Sequence, residues 1–226
     1  MKKLSFSKKE YVEPFFIYSL SVLSIVFLSF LHVAPISKQT ENYEQKILNE
    51  LAQPTHIFSS GSFNDVEIEA KAYVVYDLVE GRVIAGRNEN ETLPLASITK
   101  VMTAVTALLH LPKNQSVVIT PDIIDGSYDL GLKNKQVWEL GELLKYVLIF
   151  SSNDGAEAIA KVYGGRDKFV DQMNADAEAL GFKFIFTDPS GLDHGNSLGG
   201  KGSALDAAKL LGIAKREFPD ILDATT

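Results

Sequence analysis

The sequence contains no cysteine, which excludes a disulfide framework, a cysteine-rich zinc site and a thiolate nucleophile. It has only four histidines, and because no two of them stand at helical or turn spacing, we expect no metal site. It also lacks a basic stripe. Residues 1–36 hold four lysines and two glutamates, which leaves the remainder with 18 of the 22 basic and 27 of the 29 acidic residues. Such an acidic body argues against nucleic acid as a partner.

Long apolar runs are also scarce, and residues 15–36 form the one that stands out. These nearly uncharged residues match the ~20 needed to cross a bilayer core, and four lysines precede them. We therefore expect a cytoplasmic N-terminus (1–14), a single-pass membrane anchor (15–36), a linker (37–69) and a domain (70–226) on the periplasmic or wall side of the cytoplasmic membrane. A cleaved signal peptide is the alternative, and it gives the domain the same compartment.

A strand pair followed by a series of helices is predicted for the domain. The β-rich segments Ala72–Asp77 and Arg82–Gly86 flank Gly81, which is the pattern of a hairpin. Apolar recurrence and helix start and stop signals predict helices over Ser97–His110, Leu140–Phe150, Asp154–Tyr163, Asp167–Leu180 and from Ser203 to about Lys215. This mixture indicates an α/β fold of the α+β type. Because one hairpin cannot bury its own face, we expect an incomplete antiparallel sheet that gains strands from sequence beyond residue 226.

Ser97 and Lys100 form the first pair of candidate catalytic residues. Their i, i+3 spacing places a hydroxyl and an amine on one helix face, and a serine needs a base before it can act as a nucleophile. The motif is weak alone, since Ser5-x-x-Lys8 repeats it by chance. The alternative interpretation is that Ser97 caps a helix and Lys100 is solvated.

Ser151 and Asn153 form the second pair. A hydroxyl and an amide in this Ser-x-Asn order can meet the first pair across a cleft. This pattern also has a chance duplicate, Ser62-x-Asn64 in the linker. Together the two segments are two of the three parts of a serine acyl-transfer site that uses lysine where other sites use histidine.

The residues that flank both motifs carry a resemblance that neither motif carries alone. Pro94–Ala104 resembles the active-site segment of the D-alanyl-D-alanine carboxypeptidases, the low-molecular-mass penicillin-binding proteins of serine peptidase family S11. Leu148–Ala156 is similar to that family's second motif, and Phe169–Asp193 to the stretch that follows it. The landmarks stand in family order from about residue 70 to 222. The resemblance implies a β-lactamase or penicillin-binding transpeptidase-like fold with a helical subdomain.

Carried over by position, the resemblance also implies a role for each candidate. Ser97 would be acylated by the D-Ala-D-Ala carbonyl of a peptidoglycan stem peptide, and Lys100 would be the base for that attack. Ser151 would relay a proton to the leaving amine, while Asn153 would hold Lys100 and the substrate amide. β-Lactams would trap Ser97 as inhibitors. The resemblance implies neither a metal nor an organic cofactor.

The family's third motif, Lys-Thr/Ser-Gly on a strand beside the substrate, has no match in these residues. Lys201-Gly202-Ser203 has the wrong order and is predicted to lie in a loop before a helix. Three explanations stay open: an incomplete record of a longer enzyme, a naturally truncated and weak or inactive homologue, and a partner chain that completes the sheet. The domain from 70 to 226 is therefore interpreted as truncated at its C-terminus.

Two other functions remain beside carboxypeptidase activity. A β-lactamase or a D,D-endopeptidase could share the fold, although no loop glutamate can be assigned the role of positioning a deacylating water, as class A β-lactamases require. A non-catalytic, wall-binding homologue is the third possibility, because the third motif is missing.

Overall fold

A computed structural model of the chain describes residues 68–124 and 131–225. Contacts divide the chain into Met1–Asn42 and Tyr43–Thr226, and every described residue belongs to the second unit. The predicted cytoplasmic tail, the predicted membrane segment and nearly all of the predicted linker lie outside the described residues. In the described part of the chain, no helix has both the length and the apolar character needed to cross a bilayer.

The predicted hairpin is confirmed. Strand β1 (Tyr73–Asp77) pairs antiparallel with β2 (Arg82–Arg87), and the register shifts between Val75 and Tyr76 because Ile84 is an extra, bulged residue on β2. Gly81 adopts a φ of +65° in the turn, a conformation that a glycine reaches without steric strain. The Asp77 carboxylate accepts a hydrogen bond from the backbone N–H of Val79 at 2.9 Å, which fixes the chain as it leaves β1.

The remaining strands are short and form two further antiparallel sheets among the described residues. They are β3 (Leu93–Pro94), β4 (Ser116–Val118), β5 (Val137–Glu139), β6 (Ile185–Phe186) and β7 (Gly200–Gly202). The first sheet has the order β3-β7-β6, and the second pairs β4 with β5. The structure therefore combines helices with several small antiparallel sheets.

The prediction that Lys201-Gly202-Ser203 begins in a loop is wrong, because Lys201 and Gly202 lie on β7. Glycine has a low strand propensity, so the composition of β7 did not predict a strand. Its glycines are required by close contacts: a Cβ at Gly202 would clash with the ring of Phe184, and one at Gly200 would clash with the Thr99 hydroxyl.

The five predicted helices are all present, with boundaries shifted by at most two residues. They are α1 (Thr99–His110), α2 (Leu140–Phe150), α3 (Asn153–Tyr163), α4 (Arg166–Ala179) and α5 (Ala204–Glu217), and a short α6 (Pro219–Leu222) follows. Two begin at serine caps: the Ser152 side chain accepts a bond from Gly155 N–H, and the Ser203 side chain accepts one from Asp206 N–H. Gly181, with a φ of +76°, follows α4 in the left-handed conformation that commonly ends a helix.

Helix α1 lies at the centre of the helical packing and contacts each of α2 to α5. Eight of its twelve residues are buried, Met102 and Val105 among them. Each fully buried side chain of this size contributes roughly 1.5–3 kcal/mol to folding. A helix buried on nearly all sides has little room for charge, so Lys100 on this helix needs partners for its amine.

Candidate active site

The four predicted site residues lie at the ends of three helices. Ser97 is in a short 3-10 helix, Ala96–Ile98, and Lys100 is in the first turn of α1. The predicted helix therefore becomes α-helical two residues after Ser97. Ser151 ends α2 and Asn153 begins α3, so the link between these two helices faces the start of α1.

Ser97 is contacted from two sides. The amine Nζ of Lys100 lies 3.1 Å from its Oγ, and the Oγ of Ser151 lies 2.8 Å from the same atom. Both serines are exposed, whereas Lys100 is only 2% exposed. A hydroxyl that a substrate can reach thus rests against an amine that is shielded from water.

Lys100 has two further hydrogen-bond acceptors. Its Nζ donates to the side-chain oxygen of Asn153 at 2.8 Å and to the backbone carbonyl of Ser190 at 2.9 Å. Burying an amine is unfavourable unless it is hydrogen-bonded, so these contacts hold the group in place. The structure brings together all four predicted residues and adds Ser190.

Comparison with known proteins identifies the family to which this chain belongs. The family model for D-alanyl-D-alanine carboxypeptidases matches residues 59–226, which include every site residue named above. The chain belongs to the D-alanyl-D-alanine carboxypeptidase family.

Individual relatives are described either as carboxypeptidases or as endopeptidases. A D-alanyl-D-alanine carboxypeptidase from Mycobacterium tuberculosis is 38% identical over 60% of this chain and 46% of its own length. A D-alanyl-D-alanine endopeptidase from Pseudomonas aeruginosa is 33% identical over 68% of this chain and 49% of its own. The chain thus spans about half the length of these relatives. A crystal structure of a D-alanyl-D-alanine carboxypeptidase from Mycobacterium tuberculosis matches with a TM-score of 0.68 and 33% identity, covering 75% of this chain and 64% of that one.

The role of Ser190 was not predicted from the sequence, because its contact with Lys100 uses a backbone carbonyl that any residue possesses. The available signal was its position in the family-like Ser190-Gly191 pair. Gly191 has a φ of +79°, and a Cβ there would overlap the carbonyl oxygen of Ala96. The turn around Gly191 is therefore packed against Ala96, the residue immediately before Ser97.

A buried carboxylate, Asp188, lies behind this turn. Its Oδ1 accepts from the Ser190 backbone N–H at 2.7 Å and from the Ser190 hydroxyl at 2.5 Å. Its Oδ2 lies 2.9 Å from His194 Nε2 and 3.2 Å from Arg166 Nη1. Burial alone would raise the pKa of Asp188, but the bonds from Ser190 and His194 and the charge of Arg166 outweigh it, so that the pKa falls below its usual 3.8.

His194, interpreted from the sequence as a turn residue, does lie in an exposed loop and contacts Asp188 from there. Among the described residues, no three His, Asp or Glu side chains are arranged to hold a metal ion. The site places the Ser97 hydroxyl in contact with the Lys100 amine and the Ser151 hydroxyl. These are the groups that serine acyl transfer requires.

Proposed function

We propose that the protein is a serine-type D-alanyl-D-alanine carboxypeptidase, a hydrolase that removes the terminal D-alanine from peptidoglycan stem peptides through an acyl-enzyme on Ser97. The observation that carries this proposal is the double contact of Ser97 Oγ with Lys100 Nζ and Ser151 Oγ. A base on one side of a nucleophile and a proton relay on the other meet the needs of attack on a peptide carbonyl. Membership of the family supports the substrate class.

Acylation begins when the lone pair of neutral Lys100 takes the Ser97 proton. Two N–H bonds of that amine point at Asn153 and Ser190, whose oxygens can only accept, and this leaves the lone pair directed at Ser97. Ser97 Oγ bonds to the carbonyl carbon of the penultimate D-alanine. The C–N bond then breaks, and the departing amine receives through Ser151 the proton that Lys100 had taken, which leaves the lysine neutral again.

Deacylation uses the same groups in reverse. A water molecule gives a proton to the lysine amine and attacks the ester carbon, after which Ser97 Oγ leaves and regains its proton. One water is consumed, and one D-alanine and one shortened peptide are released. β-Lactams enter by the same first step, but their leaving amine stays tethered to the acyl group and therefore blocks the path of water.

The compartment follows from the substrate and from the N-terminal sequence. Peptidoglycan lies outside the cytoplasmic membrane, and the apolar run 15–36 with four preceding lysines favours an anchor that keeps the domain on that side. We therefore propose a single-pass, membrane-anchored protein whose domain is extracytoplasmic. Protease treatment of intact spheroplasts should degrade the domain, and protection of the domain would contradict this topology.

Endopeptidase activity is the second candidate, because the 33% identical relative from Pseudomonas aeruginosa is described as an endopeptidase. The two activities share the acyl-enzyme and differ in the group that leaves. In one case it is free D-alanine, and in the other it is the side-chain amine of a cross-linked neighbouring peptide.

One experiment separates these functions. The protein is incubated with a linear peptide ending in D-Ala-D-Ala and, separately, with a cross-linked peptide dimer, and the products are identified by mass spectrometry. Carboxypeptidase activity releases D-alanine from the linear peptide and is lost in Ser97→Ala, whereas Ser116→Ala, on strand β4, serves as a matched control. Cleavage of the dimer alone would identify an endopeptidase. Turnover of neither peptide would contradict the proposed function.

A further inference from the structure

We propose that Asp188 is a positioning residue for the lysine base: it fixes the turn whose Ser190 carbonyl directs the Lys100 amine towards Ser97. The inference rests on the proposed function in one respect, the assignment of Lys100 as the base. Asp188 bonds to the backbone N–H of Ser190, and the Ser190 carbonyl bonds to Lys100, so the influence of Asp188 passes through the backbone of Ser190.

The inner oxygen of Asp188 holds the turn. It accepts from both the backbone N–H and the hydroxyl of Ser190, and the Ser190 hydroxyl in turn accepts from the Leu192 N–H at 3.1 Å. Asp188 and Ser190 are 2% and 4% exposed, so water has little access to replace these bonds. Removing the acceptor would leave buried donors unpaired, which is more unfavourable than losing an exposed hydrogen bond.

The outer oxygen of Asp188 ties the turn to two helices. It contacts His194 in the loop and Arg166 at the start of α4. Arg166 also pairs with Glu157 on α3, at 3.0 Å. Because α3 is the helix that begins at Asn153, the same network anchors the elements that supply both oxygen acceptors of the lysine amine.

The turn meets α1 through two consecutive backbone carbonyls. The Pro189 carbonyl accepts from the Thr103 hydroxyl at 2.5 Å, and the Ser190 carbonyl accepts from Lys100 Nζ at 2.9 Å. Thr103 and Lys100 are three residues apart, so they lie on one face of the helix. If Asp188 releases the turn, the Thr103 contact still holds Pro189, and the Ser190 carbonyl is the group that becomes free to rotate away.

The position of this carbonyl decides where the lysine lone pair points. With Asn153 and Ser190 both accepting, two N–H bonds are fixed and the lone pair faces Ser97. With Ser190 displaced, the amine can turn about its Cε–Nζ bond and the lone pair loses its direction. The expected defect therefore lies in the acylation step and not in the binding of the ligand that precedes it.

The test compares Asp188→Ala with Asp176→Ala in the full chain. Asp176 is a matched control because it is also a buried carboxylate, 1% exposed, held by His110 at 3.0 Å and Gln172 at 2.7 Å. His110 stands ten residues after Lys100 on α1, roughly 15 Å along the helix at about 1.5 Å per residue. Both variants lose a buried network, and only Asp188→Ala should affect the lysine.

Two measurements are made on each variant. The first follows the ε-methylene resonance of Lys100, assigned with Lys100→Arg, by NMR of protein labelled with 13C-lysine. The second is the pH profile of the acylation rate with a fluorescent penicillin. We expect Asp188→Ala to displace the Lys100 resonance and to lower the acylation rate by about tenfold at unchanged ligand affinity. Asp176→Ala should change neither, and Asp188→Asn, which keeps an oxygen acceptor for Ser190, should recover part of the rate.

The two measurements separate this inference from the proposed function. If the Lys100 resonance stays in place in Asp188→Ala, or moves equally in Asp176→Ala, the positioning role is wrong whatever the activity. If the unsubstituted protein does not react with penicillin, the proposed function fails, while the resonance still decides whether Asp188 positions the amine. An acylation rate and pH profile in Asp188→Ala that equal those of the unsubstituted protein would also overturn the inference.

Discussion

The hydroxyl of Ser151 donates a hydrogen bond of 2.8 Å to the hydroxyl of Ser97, although the two residues are 54 positions apart in the sequence. Ser151 reaches this position because it ends α2 in the left-handed conformation, with a φ of +55° and a ψ of +37°. That conformation is usually occupied by glycine or asparagine, and a serine there carries strain. The strained backbone at Ser151 is consistent with a selected functional position and not with stability alone.

Replacement of Ser151 should separate stability from reactivity. Ser151→Gly removes the hydroxyl and relieves the left-handed strain, so we expect the protein to be equally stable or more stable and to react with fluorescent penicillin at least about tenfold more slowly. Thermal unfolding and the rate of label incorporation measure the two effects. The neighbouring Ser152→Ala is the control: it loses a helix cap worth ~1 kcal/mol and should keep its reactivity. Normal labelling of Ser151→Gly would exclude a role for its hydroxyl.

Lys100 should not tolerate replacement by another cation. Lys100→Arg keeps a positive charge but cannot supply a lone pair at accessible pH, and we expect both it and Lys100→Met to lose acylation by about a hundredfold or more. Lys161→Met is the control, since this lysine lies on α3 and pairs with Asp122 on the surface. Initial rates of penicillin labelling measure the effect. A Lys100→Arg protein that still labels at the normal rate would show that the base lies elsewhere.

Two glycines in one loop test how tightly the turn fits against the nucleophile. Gly191 and Gly195 have φ values of +79° and +60°, so alanine at either should be strained by about 1 kcal/mol. Only a Cβ at Gly191 meets other atoms, namely the backbone of Ala96, whereas nothing lies within 4 Å at Gly195. We expect Gly191→Ala to lose more stability than this strain accounts for and to lose penicillin labelling. Gly195→Ala should lose only the strain energy and should label normally. Equal behaviour of the two variants in denaturant titrations and labelling would refute the close fit.

The lowered pKa of Asp188 predicts how stability depends on pH. Because the folded-state pKa lies below the usual value of 3.8, the folded protein binds fewer protons there than the unfolded chain. The stabilisation is therefore fully present above the usual value and is lost as the pH falls through the folded-state pKa. The difference in unfolding free energy between the unsubstituted protein and Asp188→Asn should shrink as urea titrations move from pH 6 to pH 3. If the difference in unfolding free energy stayed constant or grew as the pH fell, the ionised Asp188 carboxylate would not be the group that this network stabilises.

Much of the fold could be predicted from the sequence because its signals are local. The glycine of the first hairpin and the apolar period of each helix mark elements that the chain forms in place. Ser203, where the last helix was predicted to start, caps α5, and Gly181 follows α4 in the left-handed conformation. The order of the motifs also indicated that Ser97, Lys100, Ser151 and Asn153 share one site, and the structure brings these four together.

The missed features depend on contacts between distant segments. Strand β7 consists of Gly200, Lys201 and Gly202, whose composition argues against a strand, and it exists because β3 and β6 pair on either side of it. Ser190 reaches Lys100 through a backbone carbonyl, which leaves no side-chain signature. Asp188 had no assigned role, because its partners Arg166 and His194 meet only when the loop folds against α4.

The central claim, that Ser97 is the nucleophile which Lys100 activates, is tested most directly by mapping a covalent adduct. The protein is incubated with a β-lactam, digested and sequenced by mass spectrometry. We expect one adduct per chain on the peptide that contains Ser97, no adduct in Ser97→Ala and, at the same incubation time, a strongly diminished adduct in Lys100→Met. An adduct on another residue, or an undiminished adduct in Lys100→Met, would contradict the claim.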